Sequence, residues 1–356
     1  MPADQAARGP WPVGQKTVKF GRFSAVEVMY PAAPGSQEGK TAIKQDLREF
    51  LPQRERARVP DAQAASLSAD TYRDLPLDTE HGPYPVVILV HGTASFRLAS
   101  FSTQALWASR GFVVVAADHP NLYLADYLGR NGCNLDVPRE DLNDDVDSEL
   151  AALTNPSGEL AFLAGHLDTS RVALAGHSAG GVAAAGFSGK PGVQLVLPLA
   201  GNAPVRAAPA LKSVLFVGGD ADAVLSYDPP ADGIGRIQFP GTQTEAYARS
   251  PGSPVKKRIV GIRGGGHLVV TDLCQRNARN QSDLQVAEAN GVCGVALLNA
   301  LGLADCGTVE RAPATEIVNY ATSAALEETL LCQDRSGAWS QLEQRYSLVN
   351  DFRDGN

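Results

Sequence analysis

Ser178 is the residue of this sequence whose surroundings most clearly predict chemistry. It stands at the centre of the motif Gly-His-Ser-Ala-Gly at 176–180, and the apolar run 172–175 precedes it. A serine in a G-x-S-x-G motif between a strand and a helix lies on a sharp, strained turn that presents its hydroxyl. The glycines leave room for that turn, and the small-residue stretch 179–186 predicts the helix that follows. The pattern therefore predicts a serine nucleophile.

A serine nucleophile needs a base, and the base needs an acid that orients it. In a strand–turn–helix setting the chain order is serine, acid, histidine. His267 is the only histidine after the motif, and three glycines at 264–266 precede it. The acid is expected just after the apolar run 213–217, where Asp220 and Asp222 both occur. We favour Asp222, because it gives the loop more reach toward the histidine, and keep Asp220 as the alternative.

Acyl transfer also requires two N–H donors for the oxyanion that forms in the transition state. Ala179 follows the nucleophile and is expected to supply one of them. The other is expected from the turn 91–94, which follows the apolar run 85–90, and Thr93 is the favoured donor there. Three side chains near these positions are candidates for contact with an apolar part of the substrate: Phe96, Tyr123 and Leu268.

Composition and charge exclude several classes of function. The net charge of −8 argues against nucleic acid or an anionic membrane surface as a partner. No run of eighteen apolar residues occurs, so we expect no membrane span. The sequence has no G-x-G-x-x-G motif, no phosphate-binding loop and no His-rich ligand set, so we expect neither a cofactor nor a metal. The expected partner is a small-molecule or polymeric substrate, and we expect a monomer.

The order of apolar runs predicts how these residues are positioned. Strands that alternate with helices indicate a mostly parallel sheet of about eight strands with helices on both faces. Segments 15–20 and 24–30 alternate polar and apolar residues, which predicts an N-terminal antiparallel hairpin. Segments 101–109 and 316–331 are predicted helices. The remaining strands are predicted at 85–90, 111–117, 171–175, 193–197, 213–217 and 257–261.

Parallel strands place their carboxyl ends on one edge of a sheet, where ligand sites form. The candidate residues each follow one of these strands directly, so we expect them to meet at that edge. We expect a single domain over residues 1–356. It would include a long polar excursion at 32–83, a cysteine-bearing insertion beside the site at 268–312 and a C-terminal tail at 333–356.

The five cysteines bear on the compartment in which the protein works. Four crowd the last quarter of the chain, which is typical of two disulfides in an exported protein. Our preferred pairing is Cys274 with Cys293 and Cys306 with Cys332, which leaves Cys133 as the odd thiol. Sequence alone does not choose among the three connectivities of these four cysteines, and five reduced thiols in a cytosolic enzyme are the alternative.

The first residues of the chain also bear on the compartment. The start Met-Pro-Ala-Asp-Gln lacks a basic segment and an apolar segment, so we expect no signal peptide in this chain. The disulfides nevertheless predict a secreted or periplasmic protein, with a cytoplasmic location as the alternative.

These motifs resemble those of serine α/β-hydrolases over residues 15–331. The motifs are His-Gly at 91–92, Gly-His-Ser-Ala-Gly-Gly at 176–181, Gly-Asp-Ala-Asp at 219–222 and Gly-His at 266–267. More narrowly, segments 28–32 and 111–120 resemble the branch of platelet-activating-factor acetylhydrolases, chlorophyllases, dienelactone-hydrolase-like proteins and cutinase-like polyester hydrolases. The resemblance implies the α/β-hydrolase fold and hydrolysis of carboxylic esters through a serine acyl-enzyme.

The chain departs from parts of this branch at three positions. Dienelactone hydrolases carry cysteine where this chain has Ser178, and polyester hydrolases usually carry aromatic residues where it has Thr93 and His177. Segment 268–312 is longer than the link usual in the family and is expected to form a cap. Two other functions stay open: amide or peptide cleavage on the same residues, and a non-catalytic binding protein that keeps the fold.

Overall fold

The computed structural model describes residues 1–129, 133, 137–229, 240–275 and 280–355. Their β-strands are β1 (Val13–Val18), β2 (Val26–Pro31), β3 (Gln45–Asp46), β4 (Ser66–Leu67), β5 (Thr71–Arg73), β6 (Tyr84–Val90), β7 (Val113–Ala117), β8 (Leu167–His177), β9 (Val193–Leu199), β10 (Ser213–Gly219), β11 (Lys256–Ile262) and β12 (Val349–Gly355). Their α-helices are α1 (Gln53–Arg56), α2 (Phe101–Ser109), α3 (Leu124–Gly129), α4 (Leu142–Thr154), α5 (Ala179–Gly186), α6 (Gln243–Arg249), α7 (Asp283–Ala289), α8 (Val295–Ala300), α9 (Arg311–Leu330) and α10 (Ser336–Arg345). Short 3-10 helices cover Leu47–Phe50, Asp61–Gln63 and Gly158–Leu163.

The described residues build a ten-stranded sheet in the order β12-β11-β10-β9-β8-β6-β7-β2-β1-β5. Its six central strands, from β11 to β7 in that order, are parallel. The predicted hairpin of β1 and β2 is present, and β2 continues the sheet antiparallel to β7. The prediction of a mostly parallel sheet with an N-terminal hairpin is confirmed.

Each face of the sheet is buried in its own apolar cluster. Along β6, Val87 and Leu89 pack into one cluster, which receives side chains of α2 and α9. Val86 and Ile88 pack into the other, together with side chains of α4 and α5. Because successive side chains of a strand point to opposite faces, a strand covered on both faces must be apolar throughout. This explains the continuous apolar runs in the sequence.

The prediction of a C-terminal tail at 333–356 was wrong. This segment forms α10 and then β12, which pairs antiparallel with β11 at the edge of the sheet. Trp339 of α10 stacks on Phe352 of β12 and on the guanidinium of Arg258 in β11. An edge strand is largely exposed, so β12 lacks the apolar run that marks the central strands.

The preferred disulfide pairing was also wrong. The described residues contain the disulfides Cys133–Cys293 and Cys274–Cys306, and Cys332 is an exposed free thiol. The 20 residues of α9 separate Cys332 from Cys306, and a helix of that length spans about 30 Å.

Two disulfides fit a protein of an oxidising compartment, outside the cytosol. None of the described helices has the length and apolar character needed to cross a bilayer.

Helix α4 buries two acids one turn apart, and only one of them is paired. Asp145 accepts from Nε of Arg22 at 2.5 Å and lies 3.1 Å from Nδ1 of His119. Both carboxyl oxygens of Glu149 are buried without a hydrogen-bond partner. Burial, with a contribution from the charge of Asp145, raises the pKa of Glu149 well above its ordinary value.

We expect Glu149→Gln to stabilise the protein at about pH 8 and to lose this effect as the pH falls. Because its pKa is raised, Glu149 binds a proton more tightly in the folded state than in the unfolded chain. The free energy of unfolding of the wild type therefore falls as pH rises above the ordinary carboxyl pKa of 4.5. Thermal unfolding followed by circular dichroism across this range measures the difference. The exposed Glu343→Gln is the control, and a Glu149→Gln effect that is destabilising or independent of pH would contradict the assignment.

Candidate active site

The turn between β8 and α5 holds Ser178 in a strained backbone conformation. Its φ of 54° and ψ of −120° lie in a region that L-residues rarely adopt. The chain is packed so closely around this turn that only glycine fits at two positions. A Cβ on Gly176 would lie 2.1 Å from the carbonyl oxygen of Gly180, and a Cβ on Gly180 would lie 2.2 Å from that of Val90. The strain and the two glycines together place the hydroxyl at the carboxyl end of the central strand.

The structure brings the three residues favoured from the sequence into one hydrogen-bonded chain. Oγ of Ser178 lies 2.8 Å from Nε2 of His267. Nδ1 of His267 lies 2.9 Å from Oδ2 of Asp222. The serine follows β8, the aspartate follows β10 and the histidine follows β11, so three parallel strands end at the same place. All three side chains are buried.

Asp222 is held by donors on every side. Its Oδ1 accepts from the N–H groups of Val224 and Leu225, each at 2.8 Å. Its Oδ2 accepts from Nε2 of Gln243 at 3.1 Å, in addition to the imidazole. The carboxylate is therefore fixed in position and faces the histidine as an acceptor. Sequence reasoning missed Gln243, because nothing in the sequence indicates that α6 folds back onto the acid loop.

Asp220, the alternative acid, is directed elsewhere. Its Oδ1 accepts from the N–H of Gly264 and its Oδ2 accepts from the amide of Asn350, each at 2.6 Å. Asp220 thus joins the histidine loop to the start of β12. It does not hydrogen-bond His267.

His177, the variable residue of the serine motif, hydrogen-bonds the backbone of His267. Its Nε2 donates to the carbonyl oxygen of His267 at 3.0 Å. Burial and the neighbouring imidazole lower the pKa of His177 to about 3, so the ring is neutral at ordinary pH. No sequence pattern predicts this contact, because it joins residues 90 positions apart.

The turn that carries Thr93 lies directly against the nucleophile. A Cβ on Gly92 would lie 2.9 Å from Cβ of Ser178, so this glycine permits the close approach. His91 fastens the turn, since its Nδ1 donates to the carbonyl of Gly92 at 2.8 Å and its Nε2 accepts from the N–H of His119 at 3.2 Å. Burial lowers the pKa of His91 to about 3, as this pair of roles requires of a neutral ring. Thr93 and Ala179 line the same cavity as Ser178, and we expect their N–H groups to face an oxyanion there.

Two cavities in the described part of the protein meet at Ser178 and Thr93. One is narrow, with a volume of about 100 Å³, and is mostly apolar. Its walls come from the polar excursion, from the turn after β6 and from the insertion before α9, and include Leu47, Leu51, Phe96, Leu268, Leu284 and Leu298. The other is a wide groove of about 710 Å³ between α4, α5 and the loop after β10.

Two of the three predicted substrate contacts lie on the narrow cavity. Phe96 and Leu268 line it, and Phe96 stacks on the ring of Phe50. Tyr123 lines neither of the two cavities described above, and its hydroxyl donates to the carbonyl of Phe50 at 3.2 Å. Tyr123 is thus a support of the wall. The sequence analysis expected the insertion at 268–312 beside the site but did not identify the individual wall residues at 47–65 and 284–303, because both segments lack the periodicity that predicts buried side chains.

No group of three or more His, Cys, Asp or Glu side chains suited to a metal ion occurs among the residues that the structure describes.

Comparison with known proteins agrees with this architecture. A family model for platelet-activating factor acetylhydrolase, isoform II, matches residues 7–123, the first third of the chain. No curated protein matches the sequence. Similar solved structures include a ferulic acid esterase from Streptomyces cinnamoneus, with a TM-score of 0.62 and 22% identity over 94% of both chains. The chain has the α/β-hydrolase fold, as the sequence predicted, and the acetylhydrolase match over its first third supports action on carboxylic esters.

We expect Asp222→Asn to lower kcat by about 10⁴-fold, because an amide at this position favours the wrong imidazole tautomer. Asp220→Asn is the matched control, since it changes the neighbouring acid that does not touch His267. Steady-state kinetics on an activated ester measure both variants. Equal losses in the two variants, or a larger loss in Asp220→Asn, would contradict the placement of the acid.

Proposed function

We propose that this protein hydrolyses carboxylic esters through an acyl-enzyme on Ser178, with His267 as general base and acid and Asp222 as the orienting acid. The observation that carries the proposal is the serine hydroxyl, 2.8 Å from the imidazole, at the point where two cavities meet. A nucleophile at such a junction has space for the acyl group on one side and for the alcohol on the other.

The first half of the reaction transfers the acyl group. As Oγ of Ser178 attacks the ester carbonyl, Nε2 of His267 takes the hydroxyl proton, and Asp222 stabilises the imidazolium. The N–H groups of Thr93 and Ala179 donate hydrogen bonds to the oxyanion of the tetrahedral intermediate, and each contributes about 3 kcal/mol of transition-state stabilisation. His267 then donates its proton to the leaving oxygen, the carbon–oxygen bond breaks and the alcohol departs.

The second half releases the acid. A water molecule gives a proton to Nε2 of His267 and attacks the acyl carbonyl. The new tetrahedral intermediate uses the same two N–H donors and collapses when His267 returns the proton to Oγ of Ser178. The carboxylic acid leaves, and the free hydroxyl is restored. No cofactor takes part in this proposal.

The sizes of the cavities indicate which part of the ester each receives. An apolar cavity of about 150 Å³ holds a benzene ring, so the narrow cavity of about 100 Å³ suits an acyl chain of a few carbons. The wide groove has room for a larger alcohol group. The two comparisons differ in acyl size, an acetyl group for one and ferulic acid for the other. The narrow cavity favours the shorter acyl group.

We also propose that the protein acts as a secreted or periplasmic monomer. The disulfides support a location outside the cytosol, and one chain supplies every residue of the proposed site.

We expect kcat/KM for p-nitrophenyl esters to fall by at least about tenfold between the butanoate and the decanoate, because the longer chain does not fit the narrow cavity. Leu284→Ala should enlarge that cavity and move the preference toward longer acyl chains. The matched control is Leu297→Ala, which removes an exposed leucine that lines neither cavity.

Ser178→Ala sets the background for this panel, and matched anilides test amide cleavage. Turnover of anilides at rates like those of the esters would favour an amidase. No turnover of any substrate above the Ser178→Ala background would contradict the proposal and favour a non-catalytic binding protein.

A further inference from the structure

We propose that Asp305 is a positioning residue, which holds the acid loop and the histidine loop in the geometry that catalysis needs. Asp305 lies in the 268–312 insertion, outside the three hydrogen-bonded side chains of the site, and does not touch the reacting atoms. The inference rests on the proposed function, because its effect is exerted through His267 and Asp222.

One carboxylate oxygen of Asp305 joins the two loops. Its Oδ2 accepts from the N–H of His267 and from the N–H of Ala223, each at 3.0 Å. The first contact is to the residue that carries the imidazole, and the second is to the residue that follows Asp222. Hydrogen bonds to an ionised carboxylate are stronger than neutral ones, so this oxygen fixes the separation of the two backbones.

The other acceptors of Asp305 bind the same region. Its Oδ1 accepts from the N–H of Gly307 at 3.0 Å, and its backbone carbonyl accepts from the N–H of Leu268 at 2.8 Å. The histidine loop is therefore held on both sides of the imidazole-bearing residue. The glycine before it is part of the arrangement, since a Cβ on Gly266 would lie 2.5 Å from Oδ1 of Asp305.

The residue next to Asp305 is held by a covalent bond. Cys306 follows it directly and forms a disulfide with Cys274, which lies seven residues after His267 in the chain. The bridge closes the segment between these cysteines into a loop and returns Asp305 to the start of the insertion. The insertion thus supplies more than the apolar walls formed by Leu284 and Leu298.

Small shifts of a base have large effects on rate. A displacement of about 1 Å at the reacting groups can cost about 100-fold. Loss of the Asp305 carboxylate would leave the N–H groups of Ala223 and His267 without this acceptor and let the backbone of His267 shift relative to that of Asp222. The rate of acyl transfer should fall, while the cavities that bind the ester keep their walls.

The test compares Asp305→Ala, Asp305→Asn and the control Glu310→Ala on p-nitrophenyl butanoate. We expect Asp305→Ala to lower kcat by about 100-fold with KM changed by less than about threefold. Asp305→Asn should recover most of kcat, since its amide oxygen can accept from both N–H groups. Glu310 is an exposed acid at the start of α9, so its replacement by alanine should leave kcat within about twofold.

Two further measurements separate positioning from general destabilisation. Thermal unfolding reports the folded fraction of each variant, and the labelling rate of a fluorophosphonate reports the reactivity of the serine in the folded protein. We expect Asp305→Ala to label slowly although it is folded. If Asp305→Ala does not fold, Asp305→Glu replaces it in the test. This variant keeps the charge but moves the oxygens by one methylene, and we expect it to lower kcat with little change in KM.

The proposal is overturned if wild type is active and folded Asp305→Ala keeps its kcat and labelling rate, or if kcat falls only in proportion to the folded fraction. It is also overturned if Asp305→Asn is as slow as Asp305→Ala. A wild-type protein that neither turns over esters nor reacts with the fluorophosphonate would instead contradict the proposed function.

Discussion

The strained turn at Ser178 is the constraint on which the rest of the site depends. A serine at φ 54° and ψ −120° is unfavourable unless the surrounding chain over-determines it, and here the chain does so on both sides. Gly176 and Gly180 allow backbone contacts that no side chain would permit, and the hydrogen bond from the N–H of Ser178 to Leu199 secures the turn to β9. The apolar clusters on the two faces of the sheet hold these strands in place. The fold thus maintains a local strain, and that strain presents the hydroxyl.

The partners of the serine come from distant parts of the chain, and the parallel sheet brings them together. The loops after β10 and β11 carry Asp222 and His267. A hydrogen bond from the N–H of Ala221 to the carbonyl of Gly265 joins these two loops. Further supports come from segments that the sheet does not contain, namely α6 through Gln243 and the insertion through Asp305. The same insertion and the polar excursion wall the narrow cavity. The three hydrogen-bonded side chains follow strands of the sheet, whereas much of the wall of the narrow cavity comes from segments outside the sheet.

This division explains which features the sequence could predict. Central strands must be apolar on both faces, and a nucleophile turn must have glycines at fixed positions, so β6, β8 and the location of Ser178 follow from local patterns. Chain order and strand ends predict an acid in the loop after β10 and the histidine in the loop after β11, whereas the choice between Asp220 and Asp222 depends on the hydrogen bonds. Contacts such as those of His177, Gln243 and Asp305 join remote residues by single hydrogen bonds and leave no pattern. The pairing of the cysteines and the strand β12 were not predicted for a similar reason, because both depend on where α9 and the sheet edge place the chain.

The proposed serine mechanism is best tested by a crystal structure of the protein after reaction with a fluorophosphonate. It predicts phosphorus bonded to Oγ of Ser178, with one phosphonyl oxygen about 2.7–3.1 Å from the N–H groups of Thr93 and Ala179. It also predicts that Nε2 of His267 stays beside Oγ, as in the free protein. An adduct on another residue, or a phosphonyl oxygen directed away from both N–H groups, would contradict it.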